Sequence, residues 1–368
     1  MEILVVVGTL SGQGGIETCV QSLAQEAKAN GDHVRVLALC PSAVDPSWHE
    51  GLDYTEVSNG STSLKRQALQ GLPSIIRECR QQRPDAVVVI YSSSVPLARL
   101  ALFLAGLKRP VMAWLHFSDA LDQRIRLLRY AHGHICISRP IAESIRKLEG
   151  VRPENVHLVH NGTRMNGIAP VPRGGQGPLR IVHIGRLTVG GQKRTDDLLR
   201  ALATIDGDWR LQIVGSVCLS EDAGKLETLA DDLGIADRVD WLGWQPDPWA
   251  ALNSADLLVL CSAFEGFPMV LIEAMARGIP CLSSDCVSGP SDIVRPGRNG
   301  WLYPVDDNDA LASRLQALAV NRSLLPSPEA VRASVQPFSS RTVFLKIRKA
   351  IEQTVGSVRA SGSVPVHE

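Results

Sequence analysis

The sequence lacks most of the features that would assign a role at a glance. It carries no net charge, with 38 Lys and Arg against 38 Asp and Glu in 368 residues. The whole-chain balance therefore points to no partner, and no nucleic acid is expected. No apolar stretch is long enough to span a bilayer: the longest apolar-rich helical pattern, 96–107, is interrupted by Arg99. No basic region precedes the first apolar run, so residues 3–7 read as a strand and not as a leader. Cys281 and Cys286 have no second ligand pair beside them, which argues against zinc. The eight cysteines include Cys136, Cys261 and Cys281, which lie in apolar surroundings where thiols behave as small buried hydrophobes. No disulfide framework is implied, and a reducing cytoplasm fits. Nor is there a GxGxxG turn with a downstream acid for a ribose, which disfavours a nicotinamide oxidoreductase.

What is present is length and alternation. The chain is long enough for two hydrophobic cores. Strand patterns at 3–7, 33–37, 86–90, 111–115, 134–137 and 156–159 alternate with helix patterns at 17–30, 74–83, 96–107, 120–130 and 140–148. The stretch 161–178 is dense in Gly and Pro and reads as linker. Alternation then restarts, with strands at 180–184, 209–214, 239–241, 256–260 and 280–283 and helices at 194–203, 221–233, 248–253, 269–277 and 308–318. A last amphipathic helix is expected over 339–354. The pattern predicts an α/β chain with two doubly wound, Rossmann-like domains facing a central cleft. Their expected bounds are 1–165 and 179–335, joined by a linker at 166–178, with a terminal helical segment at 336–356 and a frayed tail at 357–368.

Ligands of such sheets sit beyond the carboxyl ends of the strands. After the first strand comes Ser11-Gly12-Gln13-Gly14-Gly15, opening a helix, a turn that brings backbone N–H groups close to a phosphate. His116 follows the fourth strand, where a side chain opens toward a ligand. After the first strand of the second half, Gly185-Arg186 and Lys193 bracket a glycine-containing loop, and two such cations can neutralise a diphosphate leaving group. The sharpest feature is Glu265-Gly266-Phe267-Pro268-Met269-Val270 running on to Glu273. Two carboxylates eight residues apart suit sugar and ribose hydroxyls, placed about two helical turns apart on one edge, and the amides from Phe267 to Val270 point at an anion. Asp206-Gly-Asp208 and Asp307-Asn-Asp309 mimic a metal clamp but read as turn and cap residues, so no metal site is expected. Between residues 63 and 150 there are 14 basic and 6 acidic side chains, an excess of +8. Arg124, Arg126 and Arg129 within it are assigned to an anionic acceptor or the anionic inner leaflet.

Together, GGxET near the start, GR…K at Gly185–Lys193 and the E-x7-E block at Glu265–Glu273 resemble the retaining GT-B glycosyltransferases of family 4 up to about residue 320. A narrower resemblance, to the 1,6-galactosyltransferases of the lipopolysaccharide core, rests on further segments. These are Gly185-Arg186-Leu187 with Gly191–Arg194, Gly243-Trp244-Gln245 with Pro248-Trp249, Ser284-Asp285-Cys286 with Ser288-Gly289-Pro290, and His116-Phe117-Ser118. The resemblance implies UDP-galactose as donor and a glucose of the lipid-linked, phosphorylated core as acceptor. It implies that Gly14 and Gly15 approach the donor phosphates or the acceptor, and that His116 contacts the transferred sugar. Arg186 and Lys193 would hold the diphosphate without metal or other cofactor. Glu265 would face the sugar hydroxyls with the 266–270 backbone, Glu273 would hold the ribose, and the terminal helix would cross back to the first domain. The rival readings are another UDP- or GDP-sugar on a different acceptor, or a non-catalytic nucleotide-sugar binder. A cytoplasmic protein, in place at the inner face of the inner membrane, is the expected location.

Overall fold

The computed structural model describes every residue except 9, 11, 13, 43–45, 58–63, 117–123, 218–221, 223 and 362–368. The chain divides into two compact units, Met1–Arg164 together with Phe338–Glu368, and Met165–Pro337. The first unit holds seven strands: β1 (Glu2–Val7), β2 (His33–Ala38), β3 (Asp53–Glu56), β4 (Ala86–Val89), β5 (Val111–Leu115), β6 (Gly133–Cys136) and β7 (Val156–Leu158). They run in the order β3-β2-β1-β4-β5-β6-β7, and every pair is parallel. Strands β4 and β5 are buried at every residue, as a sheet covered on both faces requires. The covering helices include α1 (Gly15–Ala29), α2 (Leu64–Gln82), α3 (Ser94–Leu104) and α4 (Arg139–Arg146). The winding reverses between β1 and β4, which opens a crevice at their carboxyl ends.

The second unit holds β8 (Leu179–Ile184), β9 (Trp209–Val214), β10 (Val239–Gly243), β11 (Leu257–Leu260), β12 (Cys281–Ser284) and β13 (Gly300–Tyr303). Their order, β10-β9-β8-β11-β12-β13, repeats the same reversal between β8 and β11. Its helices are α5 (Thr195–Ala203), α6 (Lys225–Asp232), α7 (Met269–Ala276), α8 (Pro290–Ile293), α9 (Asn308–Val320) and α10 (Pro328–Ser334). Leu198 and Leu202 of α5 pack with Leu311 and Leu315 of α9 into the core built on Ile181, Leu211 and Leu257.

The last helix, α11 (Ser340–Ser361), packs on α1 and β6 of the first unit. Phe344, Ile347 and Ile351 are its buried face. Polar ties fix its register: Arg348 Nε donates to Asp32 at 2.9 Å, Ser340 to Glu26 at 2.6 Å and Arg341 to Asn30 at 2.9 Å. Gly133 is required beneath it, since a Cβ there would lie 2.7 Å from Thr354 Oγ1.

Several expectations are corrected. The described part of 120–130 is a 3-10 turn, Ile125–Tyr130, in which only Leu128 is buried; three arginines leave it too little apolar surface to hold an α-helix. Residues 248–253 form turns and not a helix, because Asp247 Oδ1 accepts from the Trp249 and Ala250 amides at 3.0 and 3.3 Å. The 166–178 stretch is no free linker: Gly174 N donates to the buried Asp256 at 2.9 Å and Val171 N to Arg277 O at 3.2 Å, strapping it to the second unit. Asn161 and Thr163 are buried, and Thr163 N donates to Phe338 O at 3.0 Å. The described residues beyond 357 continue α11, so the frayed tail does not start there. Asp307 caps α9, accepting from Ala310 N at 2.8 Å, as its sequence context indicates.

Candidate functional site

Three neighbouring strands of the second unit end in glycine. Gly185, Gly215 and Gly243 follow or close β8, β9 and β10 with φ of 153°, 148° and 65°. Their backbones are laced together: Gly185 N donates to Val214 O at 3.0 Å and Gly215 N to Gly243 O at 2.8 Å. A Cβ on Gly215 would lie 1.8 Å from Gly185 O, so no side chain fits. The carboxyl ends of these strands therefore present bare backbone, which a ligand can approach closely.

Beyond Gly185 the chain forms a loop organised by Thr188. Its hydroxyl accepts from the amides of Lys193 and Arg194, each at 3.2 Å, and donates to Gly190 O at 2.8 Å. Gly190 and Gly191 take φ of 62° and 60°, and Asp196 accepts from Gly190 N at 2.7 Å. This compact loop aims Lys193 at Glu265, with Nζ 2.6 Å from Oε1 and both side chains largely buried. Arg186 is exposed and donates to Gln192 Oε1 at 2.8 Å. Gln192 in turn donates through Nε2 to Phe264 O at 3.2 Å and accepts through its carbonyl from Ala263 N at 2.8 Å. Arg186, Lys193 and Glu265 are thus brought into one constellation.

The Glu265 turn is braced from the segment after β12. Ser284 Oγ donates to Ser262 O at 2.6 Å and Ser288 Oγ to Gly266 O at 3.0 Å. Gly289, at φ 99°, packs so tightly that a Cβ would lie 2.5 Å from Pro268 Cδ. Helix α7 then starts at Met269, which leaves the amides of its first turn without intrahelical acceptors. Glu273 lies on α7, one turn in from Met269. It accepts from Trp249 Nε1 at 3.4 Å, while Arg277 lies over the Trp249 ring at 4.5 Å. Burial raises the Glu273 pKa, and the Arg277 charge and the indole bond oppose that rise.

In the first unit His116 is buried, stacks at a tilt on Trp114 with centroids 4.7 Å apart, and among the described residues finds no partner for Nε2. Phe117 and Ser118 lie outside the described residues. The glycine turn is shaped by the protein's own acid: Glu17, buried, accepts from Gly12 N at 2.7 Å, and a Cβ on Gly14 would lie 2.6 Å from its Oε2. Gly15 opens α1 beside it. Arg124, Arg126 and Arg129 are exposed. Sequence patterns did not assign work to Thr188, Gln192, Ser288 or Gly289. The last three stood inside segments noted for a family likeness, which was the available signal. Among the described residues no group of three or more His, Cys, Asp or Glu is placed to hold a metal, and no helix is long and apolar enough to cross a membrane.

Buried histidines, His116 and His183 among them, set an acid sensitivity. Burial depresses His116 from 6.5 to about 3. Burial, with help from the Lys193 charge and against the Val259 carbonyl bond, depresses His183 from 6.5 to about 4. The unfolded chain takes up these protons near 6.5 and the folded chain refuses them. Stability is therefore full above about pH 6.5 and falls as pH drops from there toward 4, by at most about 1.4 kcal/mol per pH unit for each histidine. A melting series from pH 7.5 to 4.5 should show this slope, and His183→Gln should reduce it. A melting temperature independent of pH over that range contradicts neutral burial.

The family models agree with this division. The model described as Glycosyltransferase Family 4 matches residues 13–166, and that described as Glycosyl transferases group 1 matches 173–332. A lipopolysaccharide 1,6-galactosyltransferase of Salmonella typhimurium is 33% identical, over 82% of this chain and 85% of its own length. One from Escherichia coli K12 is 30% identical, over 95% and 98%. The structure of the lipopolysaccharide outer core galactosyltransferase WaaB in its apo form matches with a TM-score of 0.84 at 29% identity, covering 96% of this chain and 99% of that one. With both halves matched and the same two-sheet architecture shared, the chain belongs to the family 4 glycosyltransferases of GT-B fold and is a hexosyltransferase.

Proposed function

We propose that this enzyme transfers galactose from UDP-galactose to a glucose of the lipopolysaccharide core, with retention of anomeric configuration and without a metal. The observation that carries the reading is the constellation of Arg186, Lys193 and Glu265, held by Gln192 against the Glu265–Pro268 turn. Arg186 and Lys193 bind the diphosphate, and the bare backbone at Gly185 admits it. Glu265 and the amides of Gly266, Phe267, Met269 and Val270 receive the sugar hydroxyls, with Pro268 shaping the turn between them, and Glu273 receives the ribose. As the bond from the anomeric carbon to the β-phosphate oxygen breaks, charge grows on the departing diphosphate. The two cations therefore act chiefly on the transition state. The acceptor hydroxyl bonds to the anomeric carbon on the same face and passes its proton to a phosphate oxygen. No nucleophilic carboxylate of the protein is required.

His116, neutral at working pH because burial lowers its pKa to about 3, hydrogen-bonds the transferred sugar and is not a proton carrier. Glu17 already places a carboxylate against Gly12 and Gly14, so the glycine turn suits the neutral hydroxyls of a saccharide better than a phosphate. Arg124, Arg126 and Arg129 meet the phosphorylated acceptor or the lipid that carries it.

The test is donor turnover and binding across UDP- and GDP-sugars, in EDTA, for the wild type and Glu265→Ala. Selective turnover of UDP-galactose that the variant loses supports the proposal. Turnover of another sugar keeps the family and discards galactose, restoration by divalent metal discards metal independence, and binding without any turnover leaves a nucleotide-sugar binder.

A further inference from the structure

We propose that a water molecule bound inside the first unit joins the indole of Trp114 to the side-chain carbonyl of Asn161, and so fixes the ring on which His116 rests. Trp114 lies on β5 and is 1% exposed; Asn161 lies just beyond β7 and is 4% exposed. Among the described residues neither Trp114 Nε1 nor Asn161 Oδ1 has a hydrogen-bond partner. One is a donor with nothing to receive its proton, the other an acceptor with nothing to fill it. Both residues line the same cavity, which has room for about one water molecule. Leaving two such groups buried and unpaired costs more than ordering a single water between them.

Both walls are fixed by other contacts, so the two groups do not close on each other. Strand β5 is held between β4 and β6. On the opposite side Thr163 N donates to Phe338 O at 3.0 Å and Ser340 N to Thr163 O at 2.9 Å. Gly162 sits so close to α11 that a Cβ would lie 2.7 Å from Val343 Cγ2 and 2.9 Å from Phe338 O. These contacts pin the Asn161 backbone against the start of α11. Leu23, Phe344 and Ile347 make much of the remaining lining apolar, but Ser340 also reaches it. Ser340 gives its own proton to Glu26 at 2.6 Å, which leaves its oxygen free to accept. The water then accepts from Trp114 Nε1, donates to Asn161 Oδ1 and donates to Ser340 Oγ, about the number of bonds usual for a buried water.

The effect is felt one ring away. Trp114 and His116 stack at a tilt with centroids 4.7 Å apart. An indole tied at Nε1 cannot rock, and the imidazole against it is held at one angle. Trp114 and Asn161 are thus positioning residues that act through His116. The positioning role rests on the proposed contact between His116 and the transferred sugar; the water does not.

The wild-type protein supplies the first test. Diffraction to about 2 Å should show a peak within about 3.2 Å of both Trp114 Nε1 and Asn161 Oδ1. In spectra of the indole N–H groups, the Trp114 signal, assigned by its loss in Trp114→Phe, should show magnetisation transfer from water. A dry cavity, or a protein acceptor on Trp114 Nε1, overturns the proposal. Trp114→Phe keeps a ring against His116 and removes the proton. It should lower kcat/KM for UDP-galactose by about three- to tenfold, the effect of one lost hydrogen bond. Affinity for UDP, which carries no sugar for His116 to touch, should stay within about twofold, and in a His116→Ala background Trp114→Phe should have no further effect on turnover. An equal loss with and without His116, or a matching loss of UDP affinity, overturns the positioning role. If the wild type turns over no nucleotide sugar, the transferase reading fails, and the water stands or falls by diffraction alone.

Discussion

Lys193→Ala is expected to lower the turnover number by about 10²- to 10³-fold, the effect of removing one preorganised charge from a developing anion. The donor dissociation constant should change by less than about tenfold, because the ammonium acts mainly as charge accumulates on the leaving phosphate. The geometry adds a complication that can be used. Lys193 Nζ lies 2.6 Å from Glu265 Oε1, and its loss leaves a largely buried carboxylate unpaired beside the donor. Part of any weakened donor binding in the single variant is repulsion by that carboxylate. Lys193→Ala combined with Glu265→Gln should recover donor binding and not turnover. Single-turnover kinetics with titration calorimetry separates the two quantities, and an unchanged turnover number in Lys193→Ala removes Lys193 from the mechanism.

The second large effect lies in the backbone. Gly215→Ala should cost about 4 kcal/mol or more of stability, placing it among the exceptional single substitutions. Two penalties coincide: a φ of 148°, which side chains rarely adopt, and a Cβ 1.8 Å from Gly185 O. The clash cannot be relieved by a side-chain rotation, since the opposing atom is backbone. Relief requires the carboxyl ends of β8 and β9 to part, which moves Gly185 and Arg186. Any folded fraction should therefore bind nucleotide sugar more weakly. Gly224→Ala is the control: it shares a positive φ of 76° but among the described residues meets nothing within 4 Å, so it should cost only the conformational penalty of about 1–2 kcal/mol. Denaturant melts that rank the two variants equally would show that the contact with Gly185 is not tight.

Much of the fold was legible because its central strands are apolar at nearly every position. β1, β4, β8 and β11 read directly as short hydrophobic runs, and their alternation with helices implied two parallel sheets. The edges were not legible. β3 is Asp53-Tyr54-Thr55-Glu56, half-buried at best and held by Arg35, which bonds Asp53 at 2.7 Å and Thr55 at 2.8 Å. No hydrophobic period announces such a strand. β13, Gly300–Tyr303, is no shorter than β4 or β11 and was hidden because it opens on a glycine directly after the turn-rich run Pro296-Gly297-Arg298-Asn299. In the site, Arg186, Lys193, Glu265 and Glu273 were visible because their side chains carry the chemistry. Thr188, Gln192 and Ser288 were not, because each works by bonding backbone: Thr188 organises its own loop, Ser288 reaches Gly266, and Gln192 reaches Phe264, 72 residues away. Glu17 illustrates a subtler limit. An acid in the first turn of a helix is commonplace, and only coordinates reveal that its carboxylate folds back onto Gly12.

The placement of α11 fixes an order of events at the ribosome. The second unit is one uninterrupted stretch, Met165–Pro337, whereas the first is completed by a helix that begins at Ser340. The sheet made first is thus finished last. After β7 emerges, the surface of α1 and β6 that receives Phe344, Ile347 and Ile351 stays open while the whole second unit is synthesised, on the order of 10–40 s at ordinary elongation rates. Over that interval the later-born unit can reach its final form, while the earlier-born one exposes an apolar seat to whatever holdase is present.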